Sequence, residues 1–256
     1  MISKAQIKVI RSLEYKKFRK EKGLFVAEGH KLVSDLATTF NCKHIFVAND
    51  SVAATACLPQ AEIITRQQLE QLSLLRNPQD IVAVFETKEY NISDLKPDND
   101  TLILALEDIQ DPGNVGTIIR TADWFGIHDI VCSEHTADIY NPKVVQATMG
   151  ALARVRVFYT DLRRWLDGIK NIPVYGTLLD GDNIYDTSLT RGGVILMGNE
   201  GNGLSADIQS YITSRLLIPS YPPMAATSES LNVSIATALV CSEFRRRTGQ
   251  NPKAGD

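Results

Sequence analysis

Leu104-Ala-Leu-Glu-Asp-Ile-Gln-Asp-Pro-Gly-Asn-Val-Gly-Thr-Ile-Ile-Arg-Thr-Ala122 is the stretch from which the fold can be read. An apolar, strand-like run ends in it and Asp111-Pro-Gly113 makes a turn. Asn114 is placed to cap a helix that carries Arg120 in its second turn. Strand, polar turn and helix form the repeating unit of open α/β sheets, which build their ligand crevice at such turns. Asn114 and Arg120 are six residues apart. That is not a same-face spacing, so they meet only if Asn114 reaches in from the cap. Taken alone, the stretch reads as a capped helix with one surface arginine.

Two more stretches downstream repeat the arrangement. In Val194-Ile-Leu-Met-Gly-Asn-Glu-Gly-Asn-Gly-Leu204 a continuously apolar run opens into a loop with glycines at 198, 201 and 203. Glycines after a strand let a backbone approach a ligand closely. The loop is no P-loop, because the Lys-Ser/Thr pair is missing, and it does not carry the usual dinucleotide fingerprint. Glu200 inside it would repel a phosphate, which argues for an uncharged or cationic ligand portion, such as an adenosine or a sulfonium. On its own it reads as a ligand-free turn. The third stretch is Leu216-Leu-Ile-Pro219, a ten-residue loop, and Ser230-Leu-Asn-Val-Ser-Ile-Ala-Thr-Ala-Leu239. Ser228 or Ser230 is expected to cap the final helix and Asn232 to lie in its first turn. Ser234, Ala236 and Ala238 suit close packing against a neighbouring helix or chain.

Around these stretches, strands are expected at 101–106, 128–132, 155–157, 173–177, 193–197 and 215–218. Helices are expected at 114–125, 141–151, 161–170, 204–211 and 230–246. Strands alternating with helices predict a mostly parallel sheet covered on both faces. The polar, proline-containing run at 88–100 has the composition of a linker. Before it, helical spacing at 3–20 puts Ile7, Ile10, Leu13 and Phe18 on one side and basic residues on the other. Strands at 24–27, 44–48 and 81–85, with helices at 29–38 and 66–75, complete a small α/β domain. The expected division is 1–95 and 96–256. The tail from Thr248 is expected to be disordered.

Composition narrows the class. With 44% hydrophobic and 22% charged residues the chain is an ordinary soluble globular protein. The basic N-terminus has no apolar core of the kind a signal peptide needs, and no run is long enough to span a bilayer. The four cysteines are scattered, and the four histidines do not join them at metal-ligand spacing. They read as reduced cytosolic thiols, with no metal site expected. The net charge of −3 advertises no global affinity for nucleic acid. Yet residues 1–31 carry nine Lys and Arg against three Glu. Such a face binds phosphate, or is simply solvated with Glu/Lys pairs.

Together the three stretches resemble motifs 1, 2 and 3 of the SpoU family of RNA ribose 2′-O-methyltransferases, in the SPOUT superfamily. The order is N-x-G-x-x-x-R-T-A, G-N-E-G-x-G-L and I-P…S-L-N-V-S-x-A, and the resemblance covers about residues 101–247. Phe25-Val-Ala-Glu-Gly29 and Pro78-Gln-Asp-Ile-Val-Ala-Val-Phe85 resemble the substrate-binding domain that precedes many such catalytic domains, a small α/β fold similar to ribosomal RNA-binding proteins. The resemblance implies a C-terminal trefoil-knot domain with a mostly parallel sheet, S-adenosylmethionine as methyl donor, an RNA substrate and a cytoplasmic homodimer. Ribosomal RNA is the expected substrate, with transfer RNA left open. The resemblance carries the reaction site to Asn114, Arg120, Glu200, Ser230 and Asn232. It carries the donor contacts to Leu196, Gly198, Gly203, Leu217, Ile218 and Leu231. Arg120 is implied as activator, either as a base or as a grip on phosphate and developing alkoxide. The loop at 220–229 is longer than the family pattern and lacks its glycine. The rivals are a non-catalytic RNA-binding protein of the same fold and a relative acting on a base nitrogen. The first predicts damaged motifs, and the second predicts no Asn/Arg pairing in the first stretch.

Overall fold

The structure, a computed structural model, describes residues 2–49, 61–222 and 230–248. The chain forms two compact units. The first joins the residues up to Glu89 to Asp138–Arg154, and the second joins Tyr90–Ala137 to the residues from Val155 on. Asp138–Arg154 lies inside the span expected for the second domain, yet it packs within the first unit.

The first unit runs α1 (Lys4–Ser12), α2 (Lys16–Lys22), β1 (Leu24–Glu28), α3 (His30–Ala37), β2 (Cys42–Ala48), β3 (Glu62–Ile64), α4 (Arg66–Leu72) and β4 (Ile81–Glu86). Its sheet order is β1-β4-β2-β3, with β4 antiparallel to both neighbours and β3 parallel to β2. The single helix expected over 3–20 is two. α1 stops at Ser12 although the apolar spacing continues. The reason lies in Arg19, whose Nη1 donates to the carbonyls of Leu13 (2.8 Å) and Glu14 (2.7 Å) and so satisfies acceptors that the break leaves open. Its Nε and Nη2 donate to Asp138 at 3.0 and 2.6 Å. Tyr140 follows Asp138 into this unit. Its ring lies 4.7 Å from that of Phe25, and its hydroxyl accepts from the Lys88 N–H and donates to the Lys88 carbonyl. Glu28 is buried at the end of β1 and accepts from Ser73 Oγ (2.6 Å) and the Leu74 N–H (2.7 Å). Burial pushes its carboxyl up despite these bonds.

The second unit contains β5 (Leu102–Leu106), α5 (Pro112–Trp124), β6 (Asp129–Cys132), β7 (Arg156–Tyr159), α7 (Leu162–Asp167), β8 (Val174–Asn183), β9 (Gly193–Met197), α8 (Ala206–Gln209), β10 (Ser214–Leu217) and α9 (Val233–Thr248). The intervening α6 (Pro142–Thr148) belongs to the first unit. All six strands are parallel, in the order β10-β8-β9-β5-β6-β7. β5 and β9 are buried along their whole length, as central strands covered on both faces must be. The chain steps outward from β5 to β7, then resumes on the other side of β5. The direction of winding therefore reverses between β5 and β9, and the loops leaving these strands flank the place where open sheets bind ligands.

Two strands depart from expectation. β3 falls where the sequence pattern predicts no element. β8 runs six residues past the expected end at Thr177. Gly176 pairs with Arg215, but Asp182 is the next residue of β8 paired on β10, with Leu216. Residues 177–181 thus have no partner on β10, and this bulge matters for the cleft below. No helix among the described residues is long and apolar enough to cross a membrane. Cys132 and Cys241 are buried free thiols pushed up by burial, Cys42 is half-buried, and Cys57 lies outside the described residues.

Candidate active site

The loop after β9 is held by its own backbone and by Asn199. The Asn199 N–H donates to the Gly203 carbonyl (3.0 Å), and the Gly203 N–H donates back (2.9 Å). Asn199 Oδ1 accepts from the N–H groups of Gly201 (2.9 Å) and Asn202 (3.1 Å). Gly198 sits so close to the returning chain that a Cβ there would fall 2.3 Å from the Gly203 carbonyl carbon. Gly203 has φ 66°, in the left-handed region. Both glycines are therefore fixed by backbone geometry.

This loop is tied to the one leaving β5. Asn199 Nδ2 donates to the Asp108 carbonyl at 2.7 Å. The Glu107 carboxylate accepts from Ser205 Oγ (2.5 Å) and the Ser205 N–H (2.8 Å) at the start of α8. Asp111, not Asn114, caps α5. Its side chain accepts from the Asn114 N–H at 2.8 Å, and Pro112 takes the first helical position, where a missing N–H costs nothing. The Asn114 side chain is thereby released from capping.

The freed amide joins the three stretches. Asn114 Nδ2 donates to Glu200 Oε1 at 3.0 Å, and Asn114 Oδ1 accepts from Asn232 Nδ2 at 3.0 Å. Asn232, rather than Ser230, caps α9. Its Oδ1 accepts from the N–H groups of Ser234 (3.0 Å) and Ile235 (3.3 Å) and from Ser234 Oγ (2.7 Å). Ser228 lies outside the described residues. Backbone N–H groups only donate, so the helix terminus fixes which end of the Asn232 amide points outward. The donor then faces Asn114 Oδ1, and Asn114 must present its own donor to Glu200. The direction of the chain Asn232→Asn114→Glu200 follows without ambiguity.

Glu200 also lines a cavity of about 570 Å³. Its walls include Gly198, Gly203, Leu217, Ile218, Ser230 and Leu231. Leu196 lies in the sheet core, and Met197 is the β9 residue that reaches the cavity. Arg120 stands exposed on α5, outside the cavity lining, and makes no hydrogen bond or ion pair to the described residues. The sequence reading missed Thr177, Leu178, Leu179 and Asp180 of β8, Gln209 at the end of α8 and Arg215 of β10, all of which line the cavity. The available signal was Gly181, where a Cβ would lie 2.6 Å from the Leu216 carbonyl carbon. A glycine in a strand marks such a close backbone approach. Among the described residues no group of three or more His, Cys, Asp or Glu could hold a metal ion.

An all-parallel open sheet, with a glycine-rich cleft where its winding reverses, defines the class: an α/β protein that binds a small ligand at its strand ends. Within that class, the SpoU rRNA methylase family matches residues 101–242, and the chain belongs to it. Residues 4–83 match the MRM3-like substrate binding domain. The chain is similar to the 23S rRNA (guanosine(2553)-2′-O)-methyltransferase RlmP of Bacillus subtilis, with 27% identity over 94% of this chain and 96% of that protein. Among solved structures, a protein assigned to the TrmH family of RNA methyltransferases, from Porphyromonas gingivalis, is 39% identical, with a TM-score of 0.83 over 96% of this chain and 99% of that one. An AdoMet-bound rRNA methyltransferase from Sinorhizobium meliloti is 28% identical, with a TM-score of 0.83 over 96% of each chain.

Proposed function

We propose that this chain transfers the methyl group of S-adenosylmethionine to a ribose 2′-hydroxyl of ribosomal RNA. The observation that carries the reading is the chain Asn232→Asn114→Glu200, which brings residues of all three stretches together at the rim of one cavity. A non-catalytic relative would have no reason to keep it intact.

The cavity suits the donor. Leucine and isoleucine side chains offer apolar walls for an adenine. Its carboxylates, Glu200 and Asp180, suit a cationic ligand. When bound, S-adenosylmethionine supplies an electrophilic methyl group whose leaving group is a neutral thioether, so the transfer needs no metal. Gly198, Gly203, Leu217, Ile218 and Leu231 would hold the donor, with Leu196 supporting from the strand beneath. The ribose oxygen would take the methyl group in exchange for its proton, which passes to solvent water, and the donor would leave as the neutral thioether. Asn114, Asn232 and Ser230 position the ribose, and Glu200 orients Asn114. A guanidinium is a poor base near neutrality. Arg120, without a partner among the described residues, instead grips the adjacent phosphate and stabilises the developing alkoxide.

In the first unit, Lys16, Lys17 and Lys20 are exposed on α2, and this basic face takes the phosphates of structured RNA. The catalytic unit carries a trefoil knot and forms a cytoplasmic homodimer. Trp124 on α5 is 84% exposed, and Ile235 and Leu239, one turn apart on α9, are 52% and 39% exposed. Such apolar surface on two helices that pack together is what a second copy would cover.

The test is 2′-O-methyl mapping of total RNA from cells with and without the protein. One ribosomal nucleotide should lose its mark. A lost mark on transfer RNA instead would move the substrate, and no lost mark would overturn the enzyme reading. R120A should abolish methylation while donor binding stays measurable by calorimetry.

A further inference from the structure

The bulge in β8 has built a second polar feature into the cavity wall. Residues 177–181 leave the ladder with β10, and Gly181 lets them press directly on the backbone at Arg215 and Leu216. Asp180 is thereby set beside Arg215. Arg215 Nη2 donates to both Asp180 oxygens at 2.8 Å and to Gln209 Oε1 at 3.2 Å, while Nε lies 3.3 Å from Asp180 Oδ1. The remaining nitrogen, Nη1, makes no bond to the described residues. Asp180, Gln209 and Arg215 all line the cavity, and Arg215 is the one cation among the described residues that line it. Of the two lining carboxylates, Glu200 is engaged by Asn114, at the reaction-site end.

A donor of this class ends in an amino acid, with a carboxylate and an ammonium on one carbon. A zwitterion is matched by a fixed ion pair, whose cation takes the carboxylate and whose anion takes the ammonium. We propose that the Asp180–Arg215 pair recognises the amino-acid end of the methyl donor, with Arg215 Nη1 donating to the carboxylate and Asp180 accepting from the ammonium. The inference rests on the donor-pocket reading and adds to it the group that selects an intact donor. It also gives the β8 bulge a purpose, since a regular strand would not place Asp180 at the cavity wall.

The test uses the full chain and calorimetric titration with S-adenosylmethionine and with its decarboxylated analogue, which keeps the sulfonium and ammonium but lacks the carboxylate. The wild-type protein should bind the intact donor at least about tenfold more tightly, as expected for a charge-assisted contact. R215M should bring that ratio close to one, R215K should keep part of it, and D180N should weaken the intact donor relative to 5′-deoxy-5′-methylthioadenosine. An ion pair that merely braces the fold would weaken all ligands together and leave the ratio unchanged. That result, or a wild-type ratio near one, overturns the proposal. The wild-type ratio and R215K decide the matter should R215M fail to fold. A wild-type protein that binds none of the three compounds overturns the donor pocket itself, and this inference with it.

Discussion

Asn114 can join the three stretches because it does not cap its helix. Asp111 holds the first turn of α5, so the Asn114 amide is free to accept from Asn232 and donate to Glu200. The direction of that chain makes the aspartate variant informative. N114D faces a second carboxylate toward Glu200, and two carboxylates sharing a site raise the pKa of one of them. N114A removes the contact without repulsion. Both should lose methyl transfer at neutral pH, N114D more severely by about tenfold, equivalent to ~1.4 kcal/mol. Only N114D should recover as pH falls and the raised carboxyl takes up its proton. The pH profiles of kcat/KM check this, and parallel profiles would rule out the assigned bond direction. Gly198 makes a steric prediction. With a Cβ only 2.3 Å from the Gly203 carbonyl carbon, G198A must open the loop and should weaken donor binding by at least about tenfold in calorimetry.

At the scale of elements, α9 is held by its last two turns. Glu243 is buried on it and accepts from Arg246 Nη2 (2.8 Å) and Arg247 Nε (2.6 Å). Arg247 also donates to the carbonyls of Thr187, Ile184 and Tyr185, and Arg245 to those of Phe125 and Gly126. The bonds from Arg246 and then Arg247 hold the Glu243 carboxyl down to about 2, from an ordinary 4.5. A carboxyl lowered by folding stabilises the fold above its unfolded pKa, and that contribution fades as pH falls through the folded one. E243Q should therefore lower the urea midpoint at pH 7, and the gap to wild type should narrow between about pH 4.5 and 2. A gap of constant size would show that the charge is irrelevant. None of this was legible in the sequence, because the carbonyls that Arg247 meets lie about sixty residues away along the chain. What could be read was local: apolar runs gave the six parallel strands, and turn chemistry located the three loops. Capping was misread at both helices of the site. In each case two or more polar residues could serve, and the choice depended on which side chain the rest of the fold required elsewhere. The β8 bulge escaped for a similar reason, since Leu178 and Leu179 continue an apolar strand and only the approach of β10 at Gly181 breaks the ladder.

At the scale of the whole molecule, the expected boundary at 95/96 divides the sequence, while the chain returns to its first unit at Asp138 and leaves it again after Arg154. The returning segment brings the carboxylate that pairs with Arg19, the Tyr140 ring beside Phe25, and the Ala153 carbonyl that accepts from Thr39 Oγ1 at 2.9 Å. Gly150, at φ 93°, faces Asp35 so closely that a Cβ would lie 2.3 Å from its carboxylate. A unit assembled from two separated stretches cannot finish folding until both exist. Residues 1–89 expressed alone should lack cooperative unfolding and bind a hydrophobic dye, since Phe25 and Phe40 lose their aromatic cover. In the full chain, R19M strands Asp138 and reopens the carbonyls of Leu13 and Glu14. Removing one partner of a buried pair costs about 3 kcal/mol. The variant should show that loss in the first unit's urea transition, while calorimetric affinity for S-adenosylmethionine stays at the wild-type value. An unmoved transition, or a fragment 1–89 as stable as the unit in the full chain, would show that the Asp138–Arg154 segment rests on the first unit without supporting it.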